Sequence, residues 1–256
     1  MKLADFDLYH RIDPKVDSST CENQLFMVIA LRSIGTIVKD SMYAMKVLFN
    51  DKKIRNEVHF GLRVNHPNVI KCHAMFKEEN KTYIIMDYCK DGDLFSKGRM
   101  EENGIRKVLT DILGALVYCH SIGITHRDVK SENILVDGNT YKLCDWDGAI
   151  YMKPNQTTNS CYGTLANFAP ELVDKQSYKT GDLDMWCTGC LVIELLGGYR
   201  PFERSTRADT FQRIRDINYN FPYTTNKLCR DFVSRLLVKS NRMTAVQALE
   251  HPFLKN

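Results

Sequence analysis

The pattern of apolar and polar positions divides the chain into two textures. Over 25–47 apolar, β-branched and aromatic residues are dense, with breaks near Gly35 and at 39–41, which predicts three short antiparallel strands. Over 51–64 the apolar residues Ile54, Val58 and Leu62 recur four apart, one face of a helix that His66-Pro67-Asn68 stops. Two strands follow over 69–76 and 81–87, joined by a polar turn at 77–80. Beyond 88–90 helical periodicity takes over, through Val108, Ile112, Ala115 and Leu116 within 105–120, then over 180–196 and 210–217. Short strand-like pieces at 134–136 and 141–144 flank a turn at Asp137-Gly138-Asn139. Residues 1–24, with Pro14 and the polar run 17–22, read as an N-terminal arm.

Composition narrows the classes. With 256 residues, 44% hydrophobic and 26% charged, the chain has ordinary globular proportions, and neither disorder nor a collagenous repeat fits. The length suits one large domain or two fused lobes. A net charge of +4 is too weak to argue for direct nucleic-acid binding. The nine cysteines are irregularly spaced and odd in number, so a disulfide framework is not expected. The opening residues lack an apolar signal core, and no apolar run reaches about 18 residues, so no membrane partner is expected. The expectation is a reduced, intracellular protein, cytoplasmic or nuclear.

The densest chemistry lies in Thr125-His-Arg-Asp128-Val-Lys130-Ser-Glu132-Asn133, followed after a strand-turn-strand by Asp145-Trp146-Asp147-Gly148. Two carboxylates and an amide at this spacing suit metal-assisted phosphoryl transfer. One Asp can orient an attacking hydroxyl, while the other Asp and the Asn offer hard oxygens to Mg²⁺. These segments resemble the catalytic and metal loops of the eukaryotic protein kinase family, and the resemblance extends from about 25 to 254. It implies an α+β, two-lobed fold: a small antiparallel β-sheet N-lobe with a helix (25–88) and a larger, mostly helical C-lobe (89–256), forming one kinase domain.

By the same resemblance, Lys46 holds nucleotide phosphates and Glu57 orients Lys46. Asp128 orients the acceptor, Lys130 balances charge on the transferred group, and Asn133 and Asp145 bind Mg²⁺ or Mn²⁺. Gly35, Ile37, Ala44, Met86, Asp87, Cys89 and Leu135 surround ATP. Gly163 to Glu171 resembles the end of an activation segment, and Arg242 matches the arginine that pairs with Glu171. Residues 184–189 match a buried central helix. Ser160 aligns with the usual phosphosite, with Thr157 and Thr158 as alternatives, and a phosphate there would pair with Arg127. Lys130 and Thr164 point to the serine/threonine branch.

Departures from the family pattern carry information of their own. Its G-x-G-x-x-G loop is here Ala30-Leu-Arg-Ser-Ile-Gly35, so only the third glycine remains, and Arg32 is a candidate replacement contact for phosphate. The metal loop reads Asp-Trp-Asp in place of Asp-Phe-Gly, which puts an extra anion beside the metal ligand. Gly61, four residues after Glu57, leaves room that the larger Trp146 can fill.

Asp93, Glu132 and Glu194 align with positions that bind arginines upstream of the acceptor, so an arginine-rich protein substrate is expected. The segments 197–204 and 230–233 are similar to the baculoviral protein kinase 1 group, which is associated with phosphorylation of an arginine-rich DNA-packing protein and would place the chain in a host nucleus. A pseudokinase acting as a scaffold is the alternative, favoured by the poor glycine loop and Asp147 and opposed by the intact Lys46, Glu57, Asp128, Asn133 and Asp145. A small-molecule kinase is opposed by Ala169-Pro-Glu171 with Arg242. Cys187-x-x-Cys190 has metal-site spacing but lies in an apolar helix with no second ligand pair, and reads as packed thiols. Oligomeric state is open, a dimer included.

Overall fold

The computed structural model describes residues 1–12, 24–49 and 51–255, with the side chains of 51–55 outside that description. Pro14, the polar run 17–22 and the Ile54 side chain lie outside the described residues. The chain forms two compact units. The first comprises Met1–Lys90 with Asp145–Asp147, the second Asp91–Cys144 with Gly148–Asn256.

The first unit is built on a five-stranded antiparallel sheet. Its strands are β1 (Phe6–Arg11), β2 (Gln24–Ala30), β3 (Met42–Leu48), β4 (Cys72–Glu78) and β5 (Lys81–Asp87), with the helix α1 (Asp51–Gly61) between β3 and β4. The order is β1-β2-β3-β5-β4. Three strands were expected over 25–47, but only β2 and β3 form there. Between them Ile34 and Ile37 bridge across a turn in which Gly35 adopts φ +61° and Asp40 φ +62°. The remaining strand, β1, comes from the expected arm. Phe6 stacks on Phe76 at 6.1 Å, and Phe76 on Tyr83 at 4.9 Å, inside a core with Val28, Tyr43, Met45 and Ile85. Among the described side chains of α1, Glu57 and Phe60 are buried and Val58, expected inward, packs against Leu48 and Ile84. Leu62, expected on that face, is 48% exposed because the helix has already ended.

The second unit contains α2 (Glu102–Ser121), the strands β6 (Ile124–Thr125), β7 (Ile134–Asp137), β8 (Thr140–Leu143) and β9 (Ile150–Tyr151), and the helices α3 (Pro170–Val173), α4 (Asp182–Gly197), α5 (Arg207–Arg215), α6 (Lys227–Ser234), α7 (Ala245–Leu249) and α8 (Pro252–Lys255). The apolar stripe of α2 buries Ile105, Val108, Leu109, Ile112 and Leu116. Helix α4 is buried along nearly all its length and is bracketed by left-handed glycines, Gly181 and Gly198, so it forms the unit's central rod. Cys187 and Cys190 lie on it as buried free thiols, as expected. Burial pushes both thiols up, away from the ionised form a metal or disulfide exchange requires. The α+β class, a small sheet-based part and a larger helical part match expectation. No helix among the described residues is long and apolar enough to cross a membrane.

Candidate functional site

In the sheet unit, β3 turns Lys46 toward α1. Lys46 Nζ lies 3.1 Å from Glu57 Oε1, 3.3 Å from Asp145 Oδ1 and 4.0 Å from Asp147 Oδ1. Burial works against the ammonium charge, but the three carboxylates outweigh it and raise the Lys46 pKa above its ordinary value. Burial, reinforced by Asp145 and Asp147, pushes the buried Glu57 carboxyl upward while Lys46 opposes the shift. One cation is thus shared by three acids. Glu57 Oε2 also accepts the backbone N–H of Trp146 at 3.1 Å, and Asn56 Nδ2 donates to the Asp147 carbonyl at 3.0 Å, so α1 fixes the segment 145–147. Asp145 adopts φ +68°, a left-handed conformation that non-glycine residues hold only when their surroundings impose it. Trp146 is buried, and its Cδ1 lies 3.8 Å from where a Cβ on Gly61 would stand, the packing expected from the sequence.

On the nucleotide side, Ile37, Arg32 and Asp87 are each engaged with the protein itself. Ile37 is 1% exposed within the sheet core, so it has no free surface to offer a ligand. Arg32 does not stand free as a phosphate contact: its Nη2 pairs with Asp5 at 2.9 and 3.0 Å. The Arg32 hydrogen bond, ahead of the opposing effect of burial, holds the Asp5 carboxyl below the ordinary range. Asp87 is already engaged, since His73 Nε2 lies 2.8 Å from its Oδ1, and His73 Nδ1 lies 3.0 Å from Thr36 Oγ1 beside Gly35. Ala44 and Cys89 are buried and Met86 is half-buried.

In the helical unit, Asp128 is the centre of a closed network. Its Oδ1 accepts the Thr164 N–H and hydroxyl, both at 2.9 Å. Its Oδ2 meets Lys130 Nζ at 2.8 Å and Asn133 Nδ2 at 3.2 Å. Lys130 Nζ also donates to Thr164 Oγ1 at 2.8 Å. Because Asn133 Nδ2 further donates to the Asp128 carbonyl at 2.9 Å, the amide nitrogen faces the loop and Oδ1, the metal-competent atom, is on the other arm. The loop is clamped from behind by Asp184, fully buried on α4. Its carboxylate accepts the His126 N–H at 2.9 Å and the Arg127 N–H at 2.7 Å, and faces His120 Nε2 at 2.8 Å. Arg127 is held at φ +73°. Leu135, on β7, is half-buried.

Arg127 gathers the segment that runs from 148 to 178. Its Nε donates to the Gly148 carbonyl at 2.5 Å, and its Nη1 to Ser160 Oγ at 3.1 Å and Tyr178 Oη at 3.2 Å. Tyr178 Oη in turn donates to the Ser160 carbonyl at 2.6 Å. Arg242 pairs with both oxygens of Glu171, at 2.5 and 2.8 Å, as expected, and stacks over Trp186 at 4.9 Å. Sequence reasoning missed Asp5, His73, Tyr178 and the clamping role of Asp184. Of these only Asp184 stood in a segment already singled out.

The three acids expected to bind substrate arginines are not an open row. Glu132 is paired with Arg200. Glu194 is 9% exposed and accepts from Ser131 Oγ at 2.9 Å, and burial raises its carboxyl pKa. Asp93 Oδ1 accepts from Ser96 N and Oγ at 2.7 and 2.6 Å.

A family model described as the protein kinase domain matches residues 33–254. Similar proteins include CBL-interacting protein kinase 5 of Oryza sativa subsp. japonica, 33% identical over 233 positions covering 88% of this chain and 50% of that protein. Aurora kinase C of Mus musculus is 30% identical over 227 positions, covering 83% and 82%. Serine/threonine-protein kinase SIK1 of Rattus norvegicus is 32% identical over 213 positions, covering 80% and 27%. The chain therefore spans half the length of the first of these relatives and about a quarter of the last.

Proposed function

The chain belongs to the protein kinase domain family, and we infer that it acts as an ATP-dependent serine/threonine kinase on a basic, arginine-rich protein. The observation that carries this reading is the Asp128–Lys130–Thr164–Asn133 network. Asp128 is positioned to orient a substrate hydroxyl and take its proton, and Lys130 is positioned to meet charge on the transferring phosphoryl group. Lys46, held by Glu57, supplies a fixed positive charge for the nucleotide phosphates. Asp145 in the sheet unit and Asn133 in the helical unit each offer a hard oxygen to Mg²⁺ or Mn²⁺, and the orphaned buried oxygen of Asp147 beside Asp145 fits a divalent cation. When bound, that cation neutralises phosphate charge.

Support for the basic substrate comes from Arg200, which shows that Glu132 takes a guanidinium. A substrate arginine would displace Arg200 from Glu132. The likeness to the baculoviral group has less behind it, because its residues also have local structural work: Arg200 binds Glu132, and Arg230 donates to the carbonyls of Thr225 and Pro222.

The test is radiolabel transfer from ATP to arginine-rich and acidic Ser/Thr peptides. Wild type is expected to label the arginine-rich set, and Asp128→Asn to fall about 10²–10⁴-fold with ATP binding kept. ATP binding with no transfer by the wild type would instead support the pseudokinase scaffold.

A further inference from the structure

The third residue of the metal loop is Asp147, and its surroundings are those of a ligand. Its side chain is 10% exposed, and its Oδ1 is buried and accepts no hydrogen bond. Among the described residues the one cation near that oxygen is Lys46 Nζ at 4.0 Å, which is already closer to Glu57 and Asp145. Carboxylate oxygens of Glu57, Asp145 and Asp147 all lie within 4.8 Å of one another. Three carboxyl groups thus crowd one ammonium, with the Glu57 side chain buried, that of Asp147 nearly so and that of Asp145 36% exposed. A buried carboxylate oxygen with no donor is unfavourable and calls for a proton or a metal. The geometry is not an accident of a loose loop, since Asn56 holds the Asp147 carbonyl and Glu57 holds the Trp146 N–H.

We propose that Asp147 and Asp145, with Glu57 completing the set, bind a divalent cation in the nucleotide-free protein. The donors are all carboxylate oxygens, so the site takes Mg²⁺ or Mn²⁺ in preference to the softer metals that nitrogen and sulfur ligands select. A glycine in place of Asp147 removes the oxygen on which the site depends. This binding lies wholly in the sheet unit, and it stands whether or not the chain transfers phosphate.

The experiment is Mn²⁺ titration of the full chain without nucleotide, read from the electron paramagnetic resonance signal of free Mn²⁺. Wild type is expected to bind one ion. Asp147→Asn, isosteric but neutral, and Asp147→Gly are each expected to weaken that binding at least tenfold. Asp7→Asn, at an exposed carboxylate on β1, should leave it unchanged. Melting followed by circular dichroism should show Mn²⁺ raising the midpoint of wild type but of neither Asp147 variant. Absence of nucleotide-free binding in wild type would overturn the proposal and assign the charge balance to a proton shared among the carboxylates. Binding kept by both Asp147 variants, or lost equally in Asp7→Asn, would place the ion elsewhere and overturn it as well. Should Asp147→Asn fail to fold, Asp147→Gly alone decides.

Discussion

Replacing Gly61 with leucine tests whether Trp146 and Gly61 are one packing unit. A Cβ at Gly61 would stand 3.5 Å from Cys72 Cβ and 3.8 Å from Trp146 Cδ1, ordinary contact distances, so alanine fits there and should stabilise by about 0.5–1 kcal/mol. Leucine adds three more carbons aimed into space occupied by a buried indole. Overpacking of that kind costs about 1–3 kcal/mol, here taken as about 2. Trp146→Phe removes the second ring and leaves a partial cavity, a loss of roughly 1.5 kcal/mol by the scale of large-to-small core changes. Independent effects would give the double variant a loss of about 3.5 kcal/mol. In the double variant, however, the leucine fills the cavity, and the loss should be only about 1.5 kcal/mol, a coupling of about 2 kcal/mol. Urea unfolding of the four proteins, followed by far-UV circular dichroism with m-values compared, measures it. Additivity within about 0.5 kcal/mol would refute the reasoning and leave the glycine to another cause.

Other consequences can be tested together. Burial opposes the Asp184 charge, but His120, His126 and the Arg127 N–H outweigh it, so its carboxyl lies below the ordinary 3.8. The unfolded chain therefore binds the proton first, and the stability Asp184 contributes is present above pH about 3.8 and lost as pH falls below it. Asp184→Asn should lose about 3 kcal/mol at pH 7, with the gap to wild type closing in acid melts, and a gap constant with pH would reject the assignment. Gly163 sits at φ +115° with a virtual Cβ 2.8 Å from the Arg127 carbonyl, so Gly163→Ala should pull Thr164 from Asp128 and lower kcat with ATP affinity unchanged. Ser160→Ala should keep near-wild-type activity, whereas Tyr178→Phe removes a buried hydroxyl bridge worth about 1–2 kcal/mol and should lower it, and the reverse order would restore a phosphate-dependent segment. Arg200→Ala should lower KM for arginine-rich peptides two- to fivefold, roughly 0.4–1 kcal/mol of exposed ion pair, and a raised KM would make Arg200 part of the scaffold instead.

Elements with long or strict periodicity were legible in the sequence. Strand 81–87 matches β5, and the stripes over 105–120 and 180–196 match α2 and α4 to within a few residues, because burial of one face or of the whole helix dictates the residue types. The errors have physical causes. In β1 only Phe6 points fully inward, and the next four positions are exposed, so an edge strand leaves no alternation to read. Between β2 and β3, Ile34 and Ile37 look like strand residues, yet two left-handed positions turn the chain before a strand can extend. The short helices α6 and α7 carry signals in their caps, where Asn226 accepts from Cys229 and Thr244 with Gln247 forms a capping box, and α6 also buries Cys229, Phe232 and Val233 on one face.

The site divides along the same line between residue type and environment. Lys46, Glu57, Asp128, Lys130 and Asn133 were readable because the chemistry demands those groups at those spacings. What holds them was not, because the partners are distant in the chain and contribute through direction: Asp184 through two backbone N–H groups 58 and 57 residues away, Glu57 through the N–H of Trp146. Arg127 and Asp145 both occupy left-handed φ that their side chains do not favour, so the loops that bear them are strained, and the strain is carried by those clamps. Asp147 shows the limit most sharply. The sequence establishes that a carboxylate replaces the expected glycine, and from that alone a solvent-facing acid would be the ordinary outcome. Only the fold shows that the oxygen is buried without a donor beside two further carboxylates, which turns a substitution into a charge imbalance that a cation can resolve.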